Sequence, residues 1–404
     1  QASFIGGVST EVWGYNGTVP GPLIEAKVGD RLKVHFKNAL PEGTTIHWHG
    51  LRLPAEMDGT LAMQNPVPPG GTFEYEFELR DAGYFWFHPH VMGDLQVQRG
   101  LYGTIVVRGE EPGFDRELAV VLDDIRLLPS GAIDEYPDDE GLAIGREGKT
   151  LLFNGHVLPT VYAQPGETLR LRLVNTANGR FFNFRIAGHT LRVIGSDGGL
   201  VEQPFDTETL LLSPGERYDV LVSLRGDVGD RFAITNEPYE RGHDTGLGPA
   251  LPLATLELAG DPVSAGALPD GGPPQPLFSE MAPIESIVLD EGTVDGMLAF
   301  TINGAQHPDV TPITVPLGEL RIFEVRNDSE MDHPFHVHGT FFQVIARDGV
   351  PTSVAERFLK DTVIVQQKSS LTLSMPFEEV GRWMFHCHIL EHAELGMMGE
   401  IVVV

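Results

Sequence analysis

The chain has 404 residues, too many for one small core and enough for two or three domains. Its 57 acidic residues against 28 Lys and Arg give a net charge of −29, which excludes a nucleic-acid binder because nothing would neutralise phosphates. A single cysteine, Cys387, excludes an internal disulfide, and no run of about 18 apolar residues is present to span a membrane.

The chain opens at Gln1 rather than Met, which fits an exported protein, periplasmic or extracellular, whose signal segment has been removed. High Gly (47) and Pro (30) counts suit many short strands joined by tight turns. Arg31 to Phe36 and Thr168 to Val174 alternate with period two, as half-buried strands do. A pattern that begins at Asn16-Gly17 and runs through Gly29 to Asn38 returns at Asn154-Gly155, Gly166 and Asn175, and again at Asn303-Gly304, Gly318 and Asn327. In each copy the later Gly and the closing Asn are nine residues apart. Gly188–Gly198 aligns with Gly339–Gly349, and Gly83–His88 with Gly381–His386. The repeat predicts an all-β chain of three consecutive β-sandwich domains, roughly 1–109, 110–262 and 274–404. Between the last two, Asp261 to Pro276 (DPVSAGALPDGGPPQP) reads as a linker, with its centre at 263–273. The acidic run from Asp134 to Glu140 reads as a solvated loop.

Ten of the 15 histidines fall into four clusters: His47-Trp48-His49, His88-Pro89-His90, the segment His333, His336 and His338, and His386-Cys387-His388 with His392. The other five (His35, His156, His189, His243 and His307) read as ordinary surface or core residues. In a strand, residues i and i+2 share a face, so each His-X-His presents two imidazoles to one side. Between His386 and His388 the opposite face carries Cys387. Two histidines, one thiolate and a weak thioether make a blue-copper site, with candidates His333, Cys387, His392 and Met397. The other eight imidazoles suit copper at an oxygen-binding site, whereas zinc would leave the lone thiolate and the methionine unexplained. In the repeat, Pro89 stands for Cys387 and Leu101 for Met397, so domain 1 lacks a thiolate site. Domain 2 places Arg185 and Ala187 where His336 and His338 would be, and Ile234, Thr235 and Asn236 where the His-Cys-His would be. It therefore reads as a spacer without copper ligands. The eight histidines, four from domain 1 and four from domain 3, meet between those domains, and a monomer suffices.

These clusters resemble the signature of the multicopper oxidases, in order and spacing, over the whole chain. The closest likeness is to bacterial three-domain laccases and cuprous oxidases, whose last motif is similar to His386–Met398 (HCHILEHAELGMM). The resemblance implies cupredoxin-like Greek-key domains and four copper ions. His333, Cys387, His392 and Met397 would hold type 1 copper, and His47 and His336 type 2. His49, His88, His90, His338, His386 and His388 would hold the type 3 pair. It further implies one-electron oxidations at type 1, passage of electrons through Cys387, His386 and His388, and reduction of dioxygen to water. Asp58, nine residues after His49, matches the family's acidic position for proton supply. Ala393 replaces the glutamate that bacterial relatives carry after the second type 1 histidine. In extended chain, Glu394 would face the other way, and Glu391 is no clear substitute.

For the reducing substrate, an axial Met397 favours easily oxidised donors, and phenols and aromatic amines are the leading expectation. A metallo-oxidase of Cu(I) or another low-valent metal is the alternative, with Glu330, Met331 and Asp332 near His333 as the candidate holders. Met281 and Met297 read as packing residues. A non-enzymatic copper-binding scaffold is disfavoured because domains 1 and 3 keep every expected ligand.

Overall fold

The computed structural model describes residues 2–5, 8–135, 139–246, 248–294 and 296–404. Its strands form paired sheets in three units, and the last two share one topology. The middle unit has a six-stranded sheet in the order Thr150–Phe153, Arg116–Ile125, Thr168–Asn175, Arg217–Ser223, Leu191–Ser196 and Gly199–Thr207. The C-terminal unit repeats it as Met297–Ile302, Ile284–Val294, Leu320–Asn327, Ser370–Pro376, Gln343–Arg347 and Val350–Pro351. Each packs against a five-stranded sheet. In the C-terminal unit that sheet places His333–Val337 beside Gly381–Cys387. The first unit is smaller, with a four-stranded sheet that sets His47–His49 beside Gly83–His88. Separate apolar cores fill the units, around Trp48 and Phe85 in the first, Leu171 and Phe184 in the second, and Phe335 and Trp383 in the third.

The repeated residues have a local reason. Asn16-Gly17, Asn154-Gly155 and Asn303-Gly304 all take positive φ at both positions, the geometry of the tight turn that Asn-Gly favours. The closing Asn ties two segments together in every copy. Nδ2 donates to Val67 O from Asn38 (2.8 Å), to Leu212 O from Asn175 (3.0 Å) and to Val365 O from Asn327 (2.9 Å).

Several expectations are corrected. Strand Arg31–Lys37 alternates as predicted, but Thr168–Asn175 is buried on both faces. Its arginines are covered by carboxylates: Arg170 by Glu111 (2.7 Å) and Asp219 (2.5 Å), and Arg172 by Glu117 (2.7 Å). The acidic run is not one solvated loop. Asp134 pairs with Arg126 at 2.8 Å, Glu135 with Arg99 at 2.9 Å, and Asp139–Ile144 is a short helix; residues 136–138 of the run lie outside the described residues. Met281 and Met297, expected to pack, are 88 % and 71 % exposed. The linker runs along the middle unit, with Val263 N–H bonded to Pro165 O and Gly272 N–H to Glu202 O.

Candidate metal centre

His336 lies opposite His386 and Phe335 opposite Cys387 in the sheet. Alternation therefore sends Cys387 into the sandwich core while its two histidine neighbours face the first unit. Cys387 Sγ is 3.5 Å from His333 Nδ1 and 3.7 Å from His392 Nδ1, and the two nitrogens are 3.2 Å apart. The outer nitrogens are occupied. His333 Nε2 donates to Ser329 Oγ (2.8 Å), and His392 Nε2 donates to Ala143 O (3.2 Å). Both Nδ1 atoms are thereby left for the space beside the sulfur. Met397 is fully buried in the same apolar cluster, and its carbonyl accepts the Cys387 N–H at 3.1 Å. Phe300 stacks on His392 at 3.7 Å. Burial pushes the Cys387 thiol up and His333 down to about 3. A bound cation would offset the first effect by stabilising the thiolate, and neutral imidazole is the ligating form.

The eight remaining cluster histidines converge between the first and third units. His338 and His386 bring Nε2 atoms to 3.1 Å, and His90 and His386 to 3.5 Å. His49, His88 and His388 form a second group, and His47 and His336 join His49 in a third. Most rings are fixed at Nδ1. His47 donates to Asp58 O (2.9 Å), His88 to Pro89 O (2.9 Å), His336 to Asp361 O (2.9 Å) and His386 to Cys387 O (2.8 Å). His49 is reversed: Nε2 is held by Asp361 Oδ1 and Thr362 Oγ1, both at 3.2 Å. Nε2 of His47, His88 and His336, Nδ1 of His49 and both nitrogens of His388 are buried without a protein partner. Buried polar atoms are seldom left unsatisfied. This ring of orphaned imidazole nitrogens fits metal ions that accept nitrogen donors. Burial also depresses most of these rings, His90 to about 3, which keeps them neutral.

Asp58 lies at the edge of this cluster. His338 Nδ1 donates to its Oδ2 at 2.8 Å. Burial pushes the carboxyl up, but His338 and His47 outweigh that and hold it well below the usual range. Asp361, which also contacts His336 Nδ1 at 3.5 Å, was not legible. It belongs to no His cluster, and its cation, Arg217, is 144 residues away. None of the five isolated histidines joins a group of potential metal ligands among the described residues.

The first unit has other side chains where the third has its thiolate group. Thr44 and Gln96 stand at the repeat positions of His333 and His392, and Thr44 Oγ1 donates to Gln96 Oε1 at 2.7 Å. In the middle unit Arg185 lies opposite Thr235, as His336 lies opposite His386. Thr235, Asn236 and Glu237 therefore take the His-Cys-His positions, one residue later than expected, beside a register shift at Ile234/Thr235. Neither alignment supplies an imidazole or a thiolate.

Leu390–Glu394 is a helix, not extended chain. Glu391 and Glu394, three residues apart, share a side. Glu391 accepts Asn178 Nδ2 (2.8 Å) and Arg146 N–H (3.1 Å), and Glu394 accepts Gly93 N–H (2.7 Å). The three candidate metal holders near His333 are engaged elsewhere. Met331 is buried, Glu330 pairs with Lys368 (2.6 Å), and Asp332 accepts Tyr239 O–H (2.6 Å). Beyond Tyr239 opens a cleft of about 280 Å³, lined by Glu147, Arg180, Phe181 and Arg241 among others.

Three family models described as "Multicopper oxidase" match residues 1–112, 132–255 and 282–404. Multicopper oxidase MmcO of Mycobacterium tuberculosis is 32 % identical, over 97 % of this chain and 83 % of that protein. A Campylobacter jejuni multicopper oxidase, described as a metallo-oxidase, superposes with a TM-score of 0.88 at 32 % identity, covering 99 % of this chain and 88 % of that one. A laccase-like oxidase from Ochrobactrum sp., with activity towards lignin model compounds, gives 0.88 at 29 % identity, covering 100 % and 94 %.

Proposed function

The chain belongs to the multicopper oxidase family, and we propose that it is a laccase-type member, coupling four one-electron oxidations of phenols or aromatic amines to the reduction of dioxygen to two waters. As a multicopper oxidase it is an oxidoreductase that uses oxygen and a reducing substrate, with copper of types 1, 2 and 3 as cofactor. Bound copper supplies one-electron storage and the place where dioxygen is reduced.

In this reading His333, Cys387, His392 and Met397 hold type 1 copper. His47 and His336 hold type 2, and His49, His88, His90, His338, His386 and His388 hold the type 3 pair. Cys387 links the two centres through covalent bonds, since its sulfur belongs to one and its peptide neighbours to the other. Asp58 orients His338 and passes protons into the buried cluster. The chain divides at 1–109, 110–262 and 274–404, works as a monomer because it contains every ligand, and is exported.

Organic donors are favoured by the dispersal of Glu330, Met331 and Asp332, which leaves no assembled cation site beside His333 among the described residues. The cleft behind Tyr239 has room for a substituted phenol, and Tyr239 connects it through Asp332 to His333. Oxygen uptake should therefore be faster with an electron-rich phenol than with Cu(I), and Met331→Ala should change neither rate more than about twofold. Negligible phenol oxidation beside rapid, Met331-dependent Cu(I) oxidation would reverse the assignment. The exposed thioethers of Met281 and Met297 favour the second reading, a metallo-oxidase, which the same comparison tests.

A further inference from the structure

The segment 110–262 holds no copper ligand, yet it reaches the histidine cluster. Arg217, on the strand Arg217–Ser223, is buried, and all five of its guanidinium N–H groups find acceptors. Nη1 and Nη2 grip Asp361 Oδ1 and Oδ2, both at 2.6 Å. Their second hydrogens go to Gly215 O (3.2 Å) and Asp197 O (3.1 Å), and Nε donates to Tyr84 O (3.1 Å) in the first unit. One side chain thus touches all three units. Gly50, directly after His49, leaves room for it: a Cβ there would lie 2.2 Å from Arg217 Nη2 and 2.8 Å from Asp361 Oδ2.

The clamped carboxylate faces the histidines. Asp361 Oδ1 accepts His49 Nε2–H, and the Asp361 main-chain carbonyl accepts His336 Nδ1–H. His49 is therefore held in the opposite tautomer from its neighbours and turns Nδ1, buried and without a protein partner, towards the cluster. A neutral imidazole carries one proton, so fixing it on Nε2 frees Nδ1 to ligate.

We propose that Asp361, clamped by Arg217, is the positioning residue that sets the His49 tautomer, so that the copper-free middle unit governs the assembly of the trinuclear site. This rests on the reading of the eight histidines as that site. A wild-type copper count of about four per chain tests that reading, whereas the variants test the inference.

The variants are Asp361→Asn, Arg217→Gln, Arg217→Lys and the charge-balanced double Asp361→Asn/Arg217→Gln. Each is read in the full-length protein by unfolding temperature, by the tautomer of His49 from ¹⁵N NMR of the copper-free form, and by copper-loaded spectra. In the single variants the His49 tautomer becomes mixed, trinuclear copper affinity falls about 10- to 100-fold, and the Cys387 colour persists. The double variant recovers unfolding temperature, because no unpaired charge is left buried, but does not recover the tautomer or the copper signals. Arg217→Lys supplies one point contact in place of a fork and shows a milder form of the same defect, which serves if Asp361→Asn fails to fold. Unchanged tautomer and trinuclear spectra in Arg217→Lys or Arg217→Gln would overturn the proposal. So would full recovery of the copper signals in the double variant, which would make the pair merely structural.

Discussion

A buried imidazole has two nitrogens, and whichever one the protein occupies decides which is left for a metal. Around Cys387, Ser329 and Ala143 take the outer nitrogens of His333 and His392, so both inner ones face the sulfur. Cys387→Ser should therefore abolish the thiolate colour and the oxidation of donors, while copper falls only from about four to about three per chain, as metal analysis and visible spectra will show. Loss of all copper would mean that the two centres are not separable. Asp124 provides a test away from the metals. Burial pushes its carboxyl up to about 6, with Arg180 pulling the other way. Its folded pKa thus lies above its unfolded one. The stability it contributes is fully present below about pH 4 and is lost as pH rises through about 6. Asp124→Asn should gain on the wild type by up to about 3 kcal/mol between those limits, and a thermal-shift difference that is flat with pH would contradict this. At this scale the convergence of the clustered histidines was legible because alternation forces His-X-His to share a face. Asp361 and Arg217 were not, because each is a single residue whose meaning lies in a partner distant along the chain.

At the scale of elements, period-two alternation predicted strand Arg31–Lys37 correctly but not the burial of Thr168–Asn175. Alternation reports polarity, and polar side chains are also buried where opposite charges meet them. The turn after Cys387 misled for a related reason. Extended geometry carries over from the preceding strand, but Leu390–Glu394 is one helical turn, which puts Glu394 on the side of Glu391. The helix Asp139–Ile144 has a consequence for donor choice. Its Ala143 carbonyl sits on His392 Nε2, and neither His333 nor His392 presents an edge to solvent. Replacing 139–144 by a short Gly-Ser link should expose His392. The expected result is a severalfold rise in kcat/KM for bulky phenols with little change for small ones, measured by oxygen uptake. If bulky and small donors respond alike, the helix does not govern access.

Over the whole molecule, the internal repeat makes the three units visible in the sequence, because each copy needs its own Asn-Gly turn and its own closing Asn. The repeat could not show how the units meet. The histidine cluster lies where the first and third units face each other, and Arg217 fastens the middle unit to both. Metal bound there binds only the assembled state. Each ion adds RT ln(1 + [Cu]/Kd), about 4 kcal/mol when free copper exceeds Kd a thousandfold. Without metal, the same imidazole nitrogens are left without a protein partner across that interface. Stripping copper should therefore lower the unfolding temperature by about 10 °C or more. It should also broaden the calorimetric transition, as the middle unit, with its own core, begins to melt apart from the other two. Restoring copper should raise and merge the transitions. Cys387→Ser, a change within the third unit, should leave the merging intact, whereas His336→Ala, which removes a ring from the histidine cluster between the first and third units, should abolish it. Identical calorimetric profiles with and without copper would mean that protein contacts alone hold the three units together.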